Sequence, residues 1–251
     1  MNTNPNFFKV ITPLLLLLLL NFESDAQKSE SNFIHKYTTE QGLSSNTVFN
    51  ILQDKYGLIW ISTEEGLNKF DGKNFTKFAL NKGRYSLSHN YAQTMLLTPD
   101  GTIWAGTTNG LNIYDYKSDS IIQVGKDTKP LKLIYNDITC LAQGVDKNRI
   151  WIGTYGDAIN YYDNHTKEFY KLKLPGLVDQ PQPVNVVSVL EDENKRLWIG
   201  TQHDGIYQYN QQTRKLAKYN LPENASTIRT IYQDNFRRIW FGTSEGCYIF
   251  N

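Results

Sequence analysis

An all-β fold is predicted by three observations: a near-identical string recurs five times, apolar residues alternate in short runs, and turn-forming residues separate those runs. The strings are "LIWISTEEGLNKFDG", "TIWAGTTNGLNIYDY", "RIWIGTYGDAINYYD", "RLWIGTQHDGIYQYN" and "RIWFGTSEGCYIFN". They hold all five tryptophans, Trp60, Trp104, Trp151, Trp198 and Trp240, at spacings of 44, 47, 47 and 42 residues. A period of that length marks a repeat architecture. Period-2 alternation with dense Tyr, Ile and Val excludes helical solenoids.

The chain opens on different material. After "MNTNPNFFK" comes the apolar run Val10–Leu20 and then "NFESDAQ". The run is too short to span a bilayer and fits the core of a signal peptide, with small residues Ser24 and Ala26 placing cleavage after Ala26. Residues 1–26 are therefore read as a signal peptide, 27–32 as a short linker and 33–251 as the repeats. Because Lys9 is the only basic residue ahead of the run, a short uncleaved anchor is the alternative.

Each repeat begins with an alternating run ("TVFNILQD", "YAQTMLL", "ITCLAQG", "VVSVLED", "IRTIYQD"), followed by a turn rich in Asp, Gly, Asn and Lys. The Ile/Leu-Trp strand comes next, then Thr with a polar loop, then a third strand such as "GLNKFD". A hairpin such as Asp71-Gly72 leads into a fourth strand such as "NFTKFAL". Four antiparallel strands per period of roughly 40–50 residues make the blade of a β-propeller. Blades pack on both faces, and the small residues Ser62, Gly106, Gly153, Gly200 and Gly242 are expected to let neighbouring sheets approach. The last repeat reaches Asn251 after its third strand, and "FIHKYT", Phe33–Thr38, resembles the fourth strands. It is expected to complete the fifth blade and remove a sheet edge. Five blades then form a closed ring or part of a larger one, whose cut faces would be apolar.

With 26 basic and 25 acidic side chains the chain has no basic field for phosphates, and nucleic acid is not an expected partner. Cys140 and Cys247 occupy different repeat positions and read as buried free thiols. No Cys/His pair has metal-ligand spacing, and neither metal nor cofactor is expected. Repeated Asn46, Asn90, Asn136 and Asn185 read as turn formers bonding their own backbone, and Asp54, Asp192 and Asp234 likewise. The tryptophans read as core.

The stretch "GLSSNTVFNILQDKYGLIWISTEEGLNKFDGKNFTKF", residues 42–78, resembles the two-component regulator propeller repeat of periplasmic sensor regions in Bacteroides-type hybrid two-component systems. The marks are Gly42–Asn46, the Asp54-x-x-Gly57 turn, the Trp-x-Gly-Thr core and the "GL" plus "YD" or "FD" strand, and they recur across residues 33–251. The resemblance implies a periplasmic, non-enzymatic sensor of carbohydrate breakdown products that signals to a histidine kinase outside this sequence. It further implies the remainder of a sensor kinase or a partner protein, and a homodimer, as associates.

Propeller ligands usually meet the loops between second and third strands. There the framework Thr and Gly recur while the residues between them vary, as binding loops on a rigid scaffold do. Glu64, Asn109, Tyr155, Asp157, His203 and Asp204 are the candidate contacts for an oligosaccharide, offering carboxylates, an amide and an aromatic surface. Their plain alternative is solvated turn residues. Two other function classes stay open: a secreted glycan-processing enzyme with two converging carboxylates from Glu64 or Glu65, Asp157, Asp204 and Glu245, and a secreted protein-interaction module.

Overall fold

The computed structural model describes residues 34–125, 136–156, 159–172, 174–175, 184–222, 225 and 227–251. The expected signal peptide, the linker and Phe33 lie outside them. The chain divides into two units, Met1–Lys36, of which only Ile34, His35 and Lys36 are described, and Tyr37–Asn251.

The second unit is a series of antiparallel meanders. Blade one holds β1 (Val48–Gln53), β2 (Ile59–Thr63), β3 (Gly66–Phe70) and β4 (Phe75–Phe78); blade two holds β5 (Ala92–Leu97), β6 (Ile103–Thr107), β7 (Gly110–Asp115) and β8 (Ser120–Val124). Blade three has β9 (Ile138–Gln143), β10 (Arg149–Thr154), β11 (Ile159–Asp163) and β12 (Glu168–Leu172). Blade four has β13 (Val186–Glu191), β14 (Arg196–Thr201), β15 (Ile206–Asn210) and β16 (Lys215–Tyr219). Blade five has β17 (Ile228–Gln233), β18 (Ile239–Thr243) and β19 (Gly246–Phe250), each sheet following chain order.

Every first strand carries a bulge, at Phe49, Gln93, Thr139, Val187 and Arg229. A bulge re-aims one side chain off the ladder. Gln93 uses this to donate to the Ile138 carbonyl of the next blade at 2.6 Å, and Thr139 Oγ1 donates to the Val186 carbonyl.

Four apolar cores lie between successive blades, and each sets a tryptophan against its neighbour blade. Trp60 packs with Met95 and Tyr114, Trp104 with Ile138 and Ile150, Trp151 with Val186 and Leu197, Trp198 with Ile228 and Phe241. The small residue two places after the tryptophan is what permits this approach. A Cβ on Gly106 would sit 2.5 Å from Ile138 Cγ2, and one on Gly200 would sit 2.5 Å from Ile228 Cγ2. Gly242 faces only Thr230 of its own blade.

Three expectations need correction. The fifth sheet has three strands, and Ile34–Thr38 adopt no strand; the local pattern of "FIHKYT" imitates a fourth strand, but Tyr37 instead packs on Phe70 at 5.0 Å and Phe75 at 5.7 Å in the first blade. The outward faces of the first and last blades consequently stay exposed: Ile51 is 62% accessible where its counterparts Met95 and Val189 are buried, and Tyr232 is 60% accessible. Cys247 lies on that last exposed strand, whereas Cys140 is half-buried with its thiol pushed by burial up to about 12; both are free. Three of the repeated asparagines reach beyond their own turns. Asn46 accepts from Thr39 N, Asn90 accepts from Leu80 N and donates to Glu65, and Asn136 donates to Asn109, so they tie separate segments together.

Candidate functional site

In blades one, two, four and five the loops between second and third strands share one construction. The framework Thr hydroxyl donates to the carbonyl of the Gly that opens the third strand and accepts a backbone N–H from within the loop. Thr63 donates to Gly66 O at 2.9 Å and accepts from Glu65 N, Thr107 pairs with Gly110 O and Asn109 N, and Thr201 with Gly205 O and Asp204 N. Gly66 runs at φ 122°, and a Cβ there would meet the Phe78 carbonyl at 2.3 Å, so no other residue fits. Below the first two loops the Gly42–Ser44 and Ser86–Ser88 segments add a second tie. Asn68 Oδ1 accepts from Ser44 N at 3.0 Å and Ser44 Oγ bonds Thr63 Oγ1 at 2.8 Å; Asn112, Ser88 and Thr107 repeat the arrangement. These loops are therefore stiff platforms that present their variable residues on one end of the sheets.

Glu64, Asn109, His203 and Asp204 stand on those platforms, Tyr155 lies on the corresponding loop of blade three, and Asp157 lies outside the described residues. Glu64 is exposed, with its N–H bonded to Thr47 O. Tyr155 is 53% accessible, with its N–H on Asp137 O. Asn109 is exposed but engaged, accepting from Asn136 Nδ2 at 3.0 Å and donating to Ser88 O at 3.4 Å. It helps bind blade two to blade three.

His203 and Asp204 alone are brought into one cleft. Its volume is about 310 Å³, and Lys218, Leu221 and Pro222 also line it. The Asp204 carboxylate accepts from the Tyr207 hydroxyl and from Lys218 Nζ. Burial, then the hydrogen bond to Asp204, raise the Tyr207 pKa above its ordinary value; the bond to Asp204 raises that of Lys218. Lys218 Nζ also lies 5.4 Å from the Tyr207 ring centroid. The cleft thus combines an exposed imidazole, a fixed carboxylate–ammonium pair and an apolar wall. That set can hold vicinal hydroxyls, which need donor and acceptor side by side. Of the other carboxylates, Glu65 is held by Asn90 at 3.1 Å.

Sequence reading missed Lys218 and Tyr207, since both sit on strands and reach the loop only through the β15–β16 register. Asp137, the one acidic residue that the sequence places near the start of an inner strand, was not a candidate contact; its carboxyl accepts from Gln93 at 3.0 Å and is raised in pKa by burial.

Comparisons with known proteins agree with this architecture. Two component regulator propeller repeats match residues 42–65, 86–109, 132–156, 180–203 and 221–245. The extracellular domain of a hybrid two component system from B. thetaiotaomicron is 31% identical, with a TM-score of 0.76; the match covers 86% of this chain and 30% of that one. Histidine kinase P4 of Formosa agariphila is 42% identical over 67 residues, 26% of this chain and 5% of the kinase. A streptogramin B lyase, at 16% identity and a TM-score of 0.60, shares the fold alone; the match covers 84% of this chain and 70% of that one. The chain thus spans a small part of its sensor and kinase relatives. Five matches in register with the five blades, each ending within or at the close of a loop built on the framework Thr, place the chain in the two-component regulator propeller family.

Proposed function

We propose that this chain is an exported ligand-sensing propeller whose recognition of a carbohydrate fragment is passed to a histidine kinase. The observation that supports it is the likeness along 86% of the chain to the extracellular domain of a hybrid two component system. Its chemistry is non-covalent recognition. Hydroxyls of a sugar bond the Asp204–Lys218 pair and His203, while Leu221 and Pro222 carry the apolar ring face. Glu64, Asn109 and Tyr155 extend the contacts along the same end, with Asp157 as a further proposed contact. Individual hydrogen bonds to sugar hydroxyls contribute on the order of 1 kcal/mol net, so several act together and longer fragments bind better than monosaccharides. Signalling is then a population shift, in which the ligand favours one arrangement of the receptor by its difference in affinity between two.

Calorimetry of the purified chain against a panel of oligosaccharides tests this. A binder whose affinity falls with Asp204→Ala and Lys218→Ala but survives Lys77→Ala supports the reading. A folded chain that takes no glycan in the panel overturns carbohydrate recognition by these five blades. Periplasmic export is tested separately by N-terminal sequencing of the mature protein, expected to begin at Gln27.

A further inference from the structure

In most blades the turn before the tryptophan strand has a second function besides reversing the chain. In three blades its Asp accepts the indole N–H: Trp60 Nε1 lies 2.8 Å from Asp54 Oδ2, Trp198 Nε1 2.9 Å from Asp192 Oδ2, and Trp240 Nε1 2.8 Å from Asp234 Oδ2. Blade three has no such Asp, and Glu191 of the next blade substitutes, with Oε2 3.1 Å from Trp151 Nε1. Every one of these indoles therefore points at a carboxylate.

Trp104 breaks the pattern. The residue six places before it is Thr98, whose Oγ1 accepts from Thr102 N at 3.1 Å, the task Asp54 Oδ1 performs for Leu58 N. Threonine has no second oxygen for the indole. Trp104 is 95% buried, yet its indole N–H is not sealed: it meets no acceptor among the described residues and is not one of the fully enclosed unpartnered atoms, so it opens on solvent. A donor that reaches solvent from an otherwise buried side chain is free to bond a ligand, which makes its surroundings informative. Where the other blades place a carboxylate, this one has a cleft of about 190 Å³ between blades two and three, on the opposite end from the platform loops. Trp104 and Thr98 line it together with Lys147, Lys167, Tyr162 and Asn164. Both lysines sit in turns at positive φ, 61° and 60°. One carboxylate, Asp100, also lines the cleft, and it is already engaged by the Thr98 hydroxyl and Thr102 N. The walls therefore carry an excess of positive charge beside an unused N–H donor.

We propose that this cleft binds a small hydroxycarboxylate, whose acid group takes the place that Asp54, Asp192 and Asp234 fill in their own blades. The ligand carboxylate accepts from Trp104 Nε1–H and neutralises the lysine charge, while Tyr162 and Asn164 offer partners to its hydroxyls. The volume lies below the roughly 300–1,000 Å³ of clefts for drug-sized ligands, so the fit is to one acidic ring or a short acid. No covalent step is involved.

The test follows the tryptophan indole N–H resonances of the ¹⁵N-labelled chain, with Trp104→Phe assigning the relevant one. Sodium glucuronate at up to tens of millimolar is expected to shift the Trp104 resonance saturably, and glucose or sodium chloride at the same concentration to leave it in place. Thr98→Asp restores the internal acceptor and should move that resonance without ligand and abolish the response. If Thr98→Asp fails to fold, Lys147→Gln with Lys167→Gln serves instead and should weaken glucuronate on the order of tenfold. A Trp104 resonance that ignores glucuronate, or that moves equally with chloride, overturns the proposal. So does an undiminished response in both the Thr98→Asp and the lysine variants.

Discussion

Asp192 shows how much one side chain carries in this fold. It is fully buried; Oδ1 accepts from Asn194 N and Arg196 N at 2.9 Å, while Oδ2 accepts from Trp198 Nε1 at 2.9 Å and Arg196 Nε at 2.7 Å. Asp192→Asn turns a donor toward the indole and leaves Arg196 without its counter-charge. A loss of about 2–4 kcal/mol in urea unfolding is expected. The turn role of these aspartates was legible from composition. The indole bond was not, because it depends on which way the tryptophan leans, and nothing in the sequence alone sets Thr98 apart. Asp119 supplies the pH-dependent counterpart. Hydrogen bonds from Tyr114 and Tyr85, opposed by burial and aided by Lys69, hold its carboxyl at about 2, below the ordinary 3.8. A depressed folded-state pKa means the stabilisation is complete above pH 3.8 and disappears as pH falls toward 2. Melting temperatures measured across that window should fall less steeply in Asp119→Asn than in the parent. Asp119 is about two-fifths accessible, so solvent screening keeps the effect small.

At the level of the blade, the interface rests on a size match between two elements. Gly106, Gly153 and Gly200 receive Ile138, Val186 and Ile228, the first residues of the following blade. In blade one the small position is Ser62, and the corresponding residue of blade two is Ala92, both fully buried. The larger socket residue thus goes with the smaller plug. Ala92→Ile alone should cost about 1–3 kcal/mol by overpacking. Adding Ser62→Gly should return about 1–2 kcal/mol of it, a coupling that a double-mutant cycle in urea measures. An additive pair would show the two sites are independent. Strand order, hairpins and the tryptophan strand were legible because period-2 alternation and turn residues are local signals. The missing fourth strand of blade five was not, since edge pairing is a non-local choice that a six-residue pattern does not determine.

For the molecule as a whole, the five blades leave an apolar face at each end of the series, with Val48 and Ile51 on one and Tyr232 and Ile249 on the other. Contiguous exposed apolar surface binds hydrophobic dyes and promotes association. Ile51→Thr with Tyr232→Thr should lower dye fluorescence and shift unfolding by no more than about 0.5 kcal/mol per site. An unchanged dye signal would show that those faces are covered in solution. The recognition end was legible only as a set of platforms. Repetition with variation marked the loops, but it could not show that His203 and Asp204 share a cleft with Lys218 while Asn109 is used as an inter-blade tie.

Among the described residues the four tryptophan cores each join two successive blades, so the chain behaves as a row of coupled units with a nearest-neighbour energy at each junction. A unit with neighbours on both sides opens only when two junctions break; a terminal unit needs one. Amide exchange should therefore grade along the sequence, fastest in β1 and β17–β19, slowest in β9–β11, and the protein should fray inward from its ends instead of unfolding in one step. Melting then begins far from the blade-three centre, and a ligand that clamps two adjacent blades would register as slowed opening several blades away.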